Sequence, residues 1–215
     1  MSTVTEAHLA GRVALGFRAG RGGSVVVGVA VDGRETRVVL STFLATAAEG
    51  DRLSLEPFHM AARIARGAQG EVSAEAAALV AEGRRRQDRL AAENLAKIIL
   101  RLSSAGGKPT VAALLVNRAG WISDLLQYSL GAPEHPPVAE GLAVRDALRF
   151  AFRECGVESI ETDEKSLPEA AATALGMSAA DIDVRLKGLG ASAGKPWRKE
   201  QKLACLSAWL AVTAR

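Results

Sequence analysis

Basic side chains gather where the sequence pattern turns. Arg18 and Arg21 bracket the end of the first β-like run, Arg118 follows a short apolar run, and Lys195, Arg198, Lys199 and Lys202 crowd the start of the last helical segment. Guanidinium and ammonium groups at a helix start suit an anion, because free backbone N–H groups and the helix dipole add to their charge. The same residues also suit a solvated basic turn beside a flexible glycine loop over residues 188–194, and both readings stand. Arg145, Arg149 and Arg153 recur every four residues as a basic stripe, and Arg84–Arg86 with Arg89 form a second. Each stripe fits a solvated helix face, or a phosphate-binding surface if the patches share one side of the molecule.

Other chemistries are excluded or left without support. Gly106-Gly-Lys-Pro-Thr110 and Gly190-Ala-Ser-Ala-Gly-Lys195 are not P-loops: the leading glycine is missing, with Leu102 and Leu189 in its place, and proline follows each lysine. His8, His59 and His135 have no ligand-like spacing. Cys155 and Cys205 stand alone, which argues against a disulfide framework or structural zinc and favours a reducing cytoplasm. No signal peptide is evident at the N-terminus, and no apolar run approaches the roughly 18 residues of a membrane span, so no membrane partner is expected. The net charge of +3 permits contact with nucleic acid without requiring it. Trp121, Trp197 and Trp209 suit core or interface anchors before base-stacking platforms.

The elements that must position these residues follow from pattern. Residues 1–11 read as a polar lead and residues 12–215 as one domain. Three β-branched runs, 12–18, 24–31 and 35–46, are separated by Arg21-Gly22-Gly23 and Asp32-Gly33, which predicts an antiparallel meander. A short helix is predicted over 57–66. A long one runs from an N-cap at Ser73 to about Leu102, with Ala91, Leu95, Ile98 and Leu102 on its buried face and a bend at Gly83. Residues 110–116 read as a buried fourth strand, 121–130 as a helix, and Pro133 to Pro137 as a rigid turn. A helix over 138–155 leads to a fifth strand at 157–161. Ser166 and Ser178 start two small helices by capping-box spacing. The glycine loop then leads to Pro196 at the first position of a final helix over 197–214, burying Leu203, Leu206 and Leu210. A helix between strands four and five makes them parallel, giving a mixed five-stranded α/β sheet flanked by helices.

This order resembles the ribonuclease H-like superfamily, and within it the Holliday-junction-resolvase branch. Leu15-Gly-Phe-Arg-Ala-Gly20 is similar to that branch's first-strand pattern of apolar, Gly, apolar, Asp, small, Gly, and Lys199 to Trp209 is similar to its last helix. The chain also resembles a divergent bacterial group marked by Gly-x-Pro-Trp followed by Gln-Lys, here Gly194 through Lys202. The resemblance implies metal-binding carboxylates at the ends of strands one and four and on the last helix. Those positions fall on Arg18, on Asn117-Arg118, and near Lys202 with Glu200 adjacent. Basic side chains repel Mg²⁺, so the resemblance implies a fold that has lost its metal centre.

Three functions are therefore expected candidates. The first is a non-catalytic binding or scaffold protein without cofactor, engaging nucleic acid or another anion through Arg18, Arg21, Arg118, Lys195, Arg198, Lys199 and Lys202. The second is a Mg²⁺-dependent nuclease using displaced acids, Glu140, Asp146 and Glu200, which would have to converge on the first strand's tip. The third is an interaction subunit whose apolar helix faces build a homodimer.

Overall fold

The computed structural model describes residues 12–33, 35–65, 72–117 and 121–214, so the N-terminal lead and Arg118 lie outside the described residues. Three strands open the fold: β1 (Arg12–Gly20), β2 (Gly23–Asp32) and β3 (Glu35–Ala45). They pair antiparallel, and the β1–β2 turn closes at Gly20↔Gly23 with Gly22 at φ 71°. After the short helices α1 (Arg52–Leu55) and α2 (Pro57–Ala65) comes α3 (Ala74–Ser104), capped by the Ser73 side chain. Strand β4 (Pro109–Val116) lies parallel to β1. Helices α4 (Leu125–Gly131) and α5 (His135–Glu154) lead to β5 (Ser159–Asp163), parallel to β4. The chain ends in α6 (Leu167–Leu175), α7 (Ala179–Ala193) and α8 (Lys199–Thr213). The sheet order β3-β2-β1-β4-β5 puts β1 at the centre. This mixed sheet, three antiparallel strands then two parallel, is the arrangement that the sequence pattern predicted.

Both faces of β1 are covered, so its residues are buried without a break from Val13 to Phe17. Val13, Leu15 and Phe17 meet α3 and α5 through Ala91, Leu95, Leu102 and Leu148. The Phe17 ring packs edge-on against Phe152, 4.9 Å between centroids. Ala14 faces the other way, with Val111, Ala113 and Leu115 of β4, toward Ala204, Ala208 and Ala211 of α8. Small residues let α8 lie close. A Cβ built on Gly16 would sit 1.8 Å from the Ala204 carbonyl oxygen and 2.6 Å from Ser207 Oγ. Among the described residues no helix is long and apolar enough to cross a membrane.

Several local readings are corrected. The glycine stretch at 188–193 is helix, the last part of α7, because Gly190 leaves room for the Trp197 ring: a Cβ there would lie 2.2 Å from Trp197 Cδ1. Helix α8 accordingly starts at Lys199 and not at Trp197, so Pro196 is outside it. Its buried face is broader than Leu203, Leu206 and Leu210: only Leu206 of these is fully buried, beside the unbroken run from Ala204 to Trp209. Pro136 and Pro137 lie in the first turn of α5, where a missing N–H costs no intrahelical bond. Residues 121–124 precede α4, whose cap is the Asp124 side chain. Trp121 is 72% exposed, unlike the buried Trp209. Gly83 does not interrupt α3; it is buried where Pro57 and the Leu53 carbonyl press close. One turn on, Gln87 is also buried and donates to the Ser54 carbonyl at 2.8 Å. Ser166 makes no capping bond and donates instead to the Asp163 carbonyl.

The α8–β1 approach yields a first prediction. Gly16→Ala lowers unfolding stability by about 2 kcal/mol or more, because backbone atoms of α8 must move to admit one methyl group. Urea unfolding checks this, and a variant as stable as the parent would contradict the close approach.

Candidate anion site at the strand tips

Parallel strands that end in register deliver their following residues to one edge. Arg18 of β1 is level with Leu115 of β4, and Leu115 is level with Thr162 of β5. The Glu164 backbone N–H donates to the Val116 carbonyl at 2.8 Å, which carries the turn after β5 to the end of β4. Glu164 thereby meets Arg18. Arg18 Nε lies 3.0 Å from Oε2 and Nη2 lies 3.1 Å from Oε1, a two-pronged pair with both side chains 27% exposed. From the other side comes Glu200, in the first turn of α8, with Oε1 4.0 Å from Arg18 Nη1. Sequence reasoning passed over Glu164, one acid among several near the end of β5. Its position just after a parallel strand beside β4 was the available signal.

A second group of charges lies on the α5 side of the same edge. Arg149 donates to Glu161 through Nε at 2.6 Å and to Asp146 through Nη1 at 2.8 Å, and Arg84 Nη2 reaches the other Asp146 oxygen at 2.8 Å. These bonds hold the Arg149 guanidinium in its charged form, its pKa raised chiefly by the Glu161 hydrogen bond. Arg145, one turn earlier, is treated differently. Its Nη1 donates to the Asn117 side-chain oxygen at 2.5 Å, and its Nε is shut from solvent without a hydrogen-bond partner. Burial first, and then the neighbouring Arg149, lower its pKa. So the stripe of arginines is no plain solvated face: two of its three members line the strand-tip edge. They bound a cavity of about 630 Å³ at the end of β4, between α3, α4 and α5.

The residues singled out from sequence thus separate. Arg18 is engaged by two carboxylates. Arg21 is 73% exposed and pairs with Glu56 at 3.2 Å. Lys202 turns away to Asp183 of α7, 3.1 Å from Nζ to Oδ1. Lys195, Arg198 and Lys199 are exposed, and none of their side chains makes a hydrogen bond or ion pair among the described residues. At that helix start the Arg198 N–H donates to Gln201 Oε1 at 3.0 Å.

Glu140, Asp146 and Glu200 are not brought together. Asp146 serves Arg84 and Arg149, and Glu200 approaches Arg18. Glu140 is buried under the start of α2, where Oε1 accepts from the N–H groups of Phe58 and His59 at 2.8 and 3.1 Å. Among the described residues no three His, Cys, Asp or Glu side chains are placed to hold a metal ion. At the β1 tip itself the donor set does not fit a metal. Glu164 and Glu200, the carboxylates that would ligate it, both face a guanidinium.

No family model matches the sequence, and no curated protein matches it. Solved structures similar to the chain include Thermus thermophilus RuvC in complex with a Holliday junction substrate, at 11% identity and TM-score 0.49, covering 94% of each chain. A second Thermus thermophilus RuvC structure has 16% identity and TM-score 0.48, covering 94% of this chain and 95% of that one. The yeast mitochondrial Holliday junction resolvase Ydc2 has 11% identity and TM-score 0.44, covering 98% of this chain and 80% of that one.

Glu140 supplies a pH prediction. Burial outweighs the two backbone hydrogen bonds and raises its pKa from 4.5 to about 8. Below pH 4.5 folded and unfolded chains both hold the proton. Between 4.5 and 8 only the folded chain keeps it, so stability falls as pH rises through that window, by a few kcal/mol in all, about 1.4 for each unit. Glu140→Gln, which keeps an acceptor for Phe58 and His59, removes most of this slope. Urea unfolding at pH 6 and pH 9 measures it, and an unchanged slope in the variant would refute the assignment.

Proposed function

We propose that the chain binds nucleic acid through its phosphate backbone on a ribonuclease H-like scaffold, without cleaving it. The observation that carries this reading is the closed pairing of Arg18 with Glu164 and Glu200, at the strand tip where the family resemblance implies metal-binding carboxylates. An arginine held there by two acids neutralises the charge that would otherwise gather a divalent cation. Immediately before the Glu200 turn, Lys195, Arg198 and Lys199 stand exposed and unpaired, with the half-buried Trp197 among them. Free cations next to an internally neutralised centre support backbone contact, which is independent of sequence and dominated by counterion release. In this reading Arg18 organises the surface and does not touch phosphate, while Arg21 is available at the β1–β2 turn. The protein works in the cytoplasm, where Cys155 and the buried Cys205 stay free.

Gel-shift titration against duplex and branched DNA and against RNA, over a range of salt, tests the proposal. Binding is expected to persist in EDTA, and Mg²⁺ is expected to produce no cleavage. The triple variant Lys195→Ala, Arg198→Ala, Lys199→Ala should lower the slope of log K against log salt by about 2 to 3 on a duplex. No binding at low ionic strength to any of these nucleic acids would end the reading, and Mg²⁺-dependent cleavage would end its non-catalytic part.

A further inference from the structure

A groove of about 380 Å³ opens between α7 and α8. One ring gives it its shape. Gly190 has no side chain, so the Trp197 indole lies against α7 where a Cβ would come 2.2 Å from Cδ1, and Nε1 donates to the Leu186 carbonyl at 2.9 Å. The ring's one polar atom is thus satisfied within the fold, and the ring is fixed as part of the lining. Leu203 is half-buried like Trp197 and the two form the walls, while Leu186 and Leu206, 6% and 4% exposed, close the floor. Every charged side chain in the lining is a cation: Arg198, Lys199 and Lys202. Lys202 is answered by Asp183, whereas Arg198 and Lys199 have no side-chain hydrogen bond or ion pair among the described residues. The acids of the two helices are committed elsewhere. Asp181 accepts from Ser178 Oγ at 2.6 Å, Asp183 holds Lys187 as well as Lys202, and Glu200 approaches Arg18. The groove therefore joins an apolar lining to two cations in excess.

We infer, on the basis of the nucleic-acid binding proposed above, that the groove takes one unpaired base of a single strand whose phosphates lie on Arg198 and Lys199. Apart from its cations the lining offers no free hydrogen-bonding side chain, so the occupant is held by its flat or apolar surface and not by its edge. A base meets that condition against a fixed indole, and stacking of this kind tolerates any sequence. A strand also carries a phosphate on either side of each base, which answers two cations where an aliphatic acid answers one. In a duplex each base is stacked on both sides and paired at its edge, so it cannot reach the indole without leaving the helix. The volume lies within the range of small-molecule sites, about 300 to 1,000 Å³. Backbone contact by the basic segment thus becomes a preference for single strands.

Fluorescence titration of the full chain carrying Trp121→Phe, which leaves Trp197 and the buried Trp209 as the emitting rings, tests this at one ionic strength. The probes are an oligothymidylate of about 12 nucleotides, the same backbone with every base removed, and a duplex of that length. Oligothymidylate should quench the Trp197 emission and bind about tenfold or more tighter than the abasic strand. The abasic strand and the duplex should bind without quenching. Trp197→Leu should lower oligothymidylate affinity to that of the abasic strand and leave the abasic affinity unchanged. If that variant fails to fold, the comparison of the two strands on the chain with Trp197 intact decides alone. Equal affinity for the abasic strand, or equal quenching by the duplex, overturns the inference and leaves backbone binding standing. No binding of any of the three ends both. Laurate, a probe with one charge and an aliphatic tail, would also overturn it by binding tighter than oligothymidylate, since the groove would then be an acyl site.

Discussion

A positive charge at the end of a strand buried on both faces has to be met there, and the pairing of Arg18 with Glu164 and Glu200 meets it. The carboxylates come from opposite ends of the later chain, one from the turn after β5 and one from the first turn of α8. Each arrives by a different constraint. Glu164 is carried in by its backbone bond to Val116, and Glu200 by the close seating of α8 on Gly16. The ion pair therefore depends on the packing of β5 and α8 against the centre of the sheet. Loss of the β5 seating would leave the partly buried Arg18 with only its 4.0 Å contact to Glu200.

From that pairing the charge pattern of the whole edge follows. Acids and arginines alternate across the strand tips as Arg18–Glu164, Arg149–Glu161 and Arg84–Asp146, and the alternation leaves Arg145 as the unanswered member. With Glu200 counted, four arginines meet four carboxylates across this edge, which lies next to a separate exposed basic segment. This edge differs from a cluster of carboxylates made to hold metal.

Much of the fold was legible because its signals are local. β-Branched runs broken by Arg-Gly-Gly and Asp-Gly define hairpins within a few residues, and Ala91, Leu95, Ile98 and Leu102 mark one helix face by spacing alone. The parallel pairing of β4 with β5 followed from the helix between them. The glycines at 188–190 misled because their meaning is not local: Gly190 is small for the Trp197 ring, which arrives from a different segment. Nothing local marked Gln87 and Gly83 as buried either, since their stretch of α3 is the seat of α1 and α2.

The sequence by itself determined the strand order, the buried face of α3 and the presence of arginine where the resemblance implies an acid. These depend on short-range periodicity and residue identity. Only the tertiary structure decided which charges meet: that Glu164 takes Arg18, that Lys202 leaves for Asp183, that Glu140 caps α2, and that Arg145 is left without an acid. Spacing along the chain says nothing about such pairs, because an ion pair falls off over a few ångströms while Arg18 and Glu164 lie 146 positions apart.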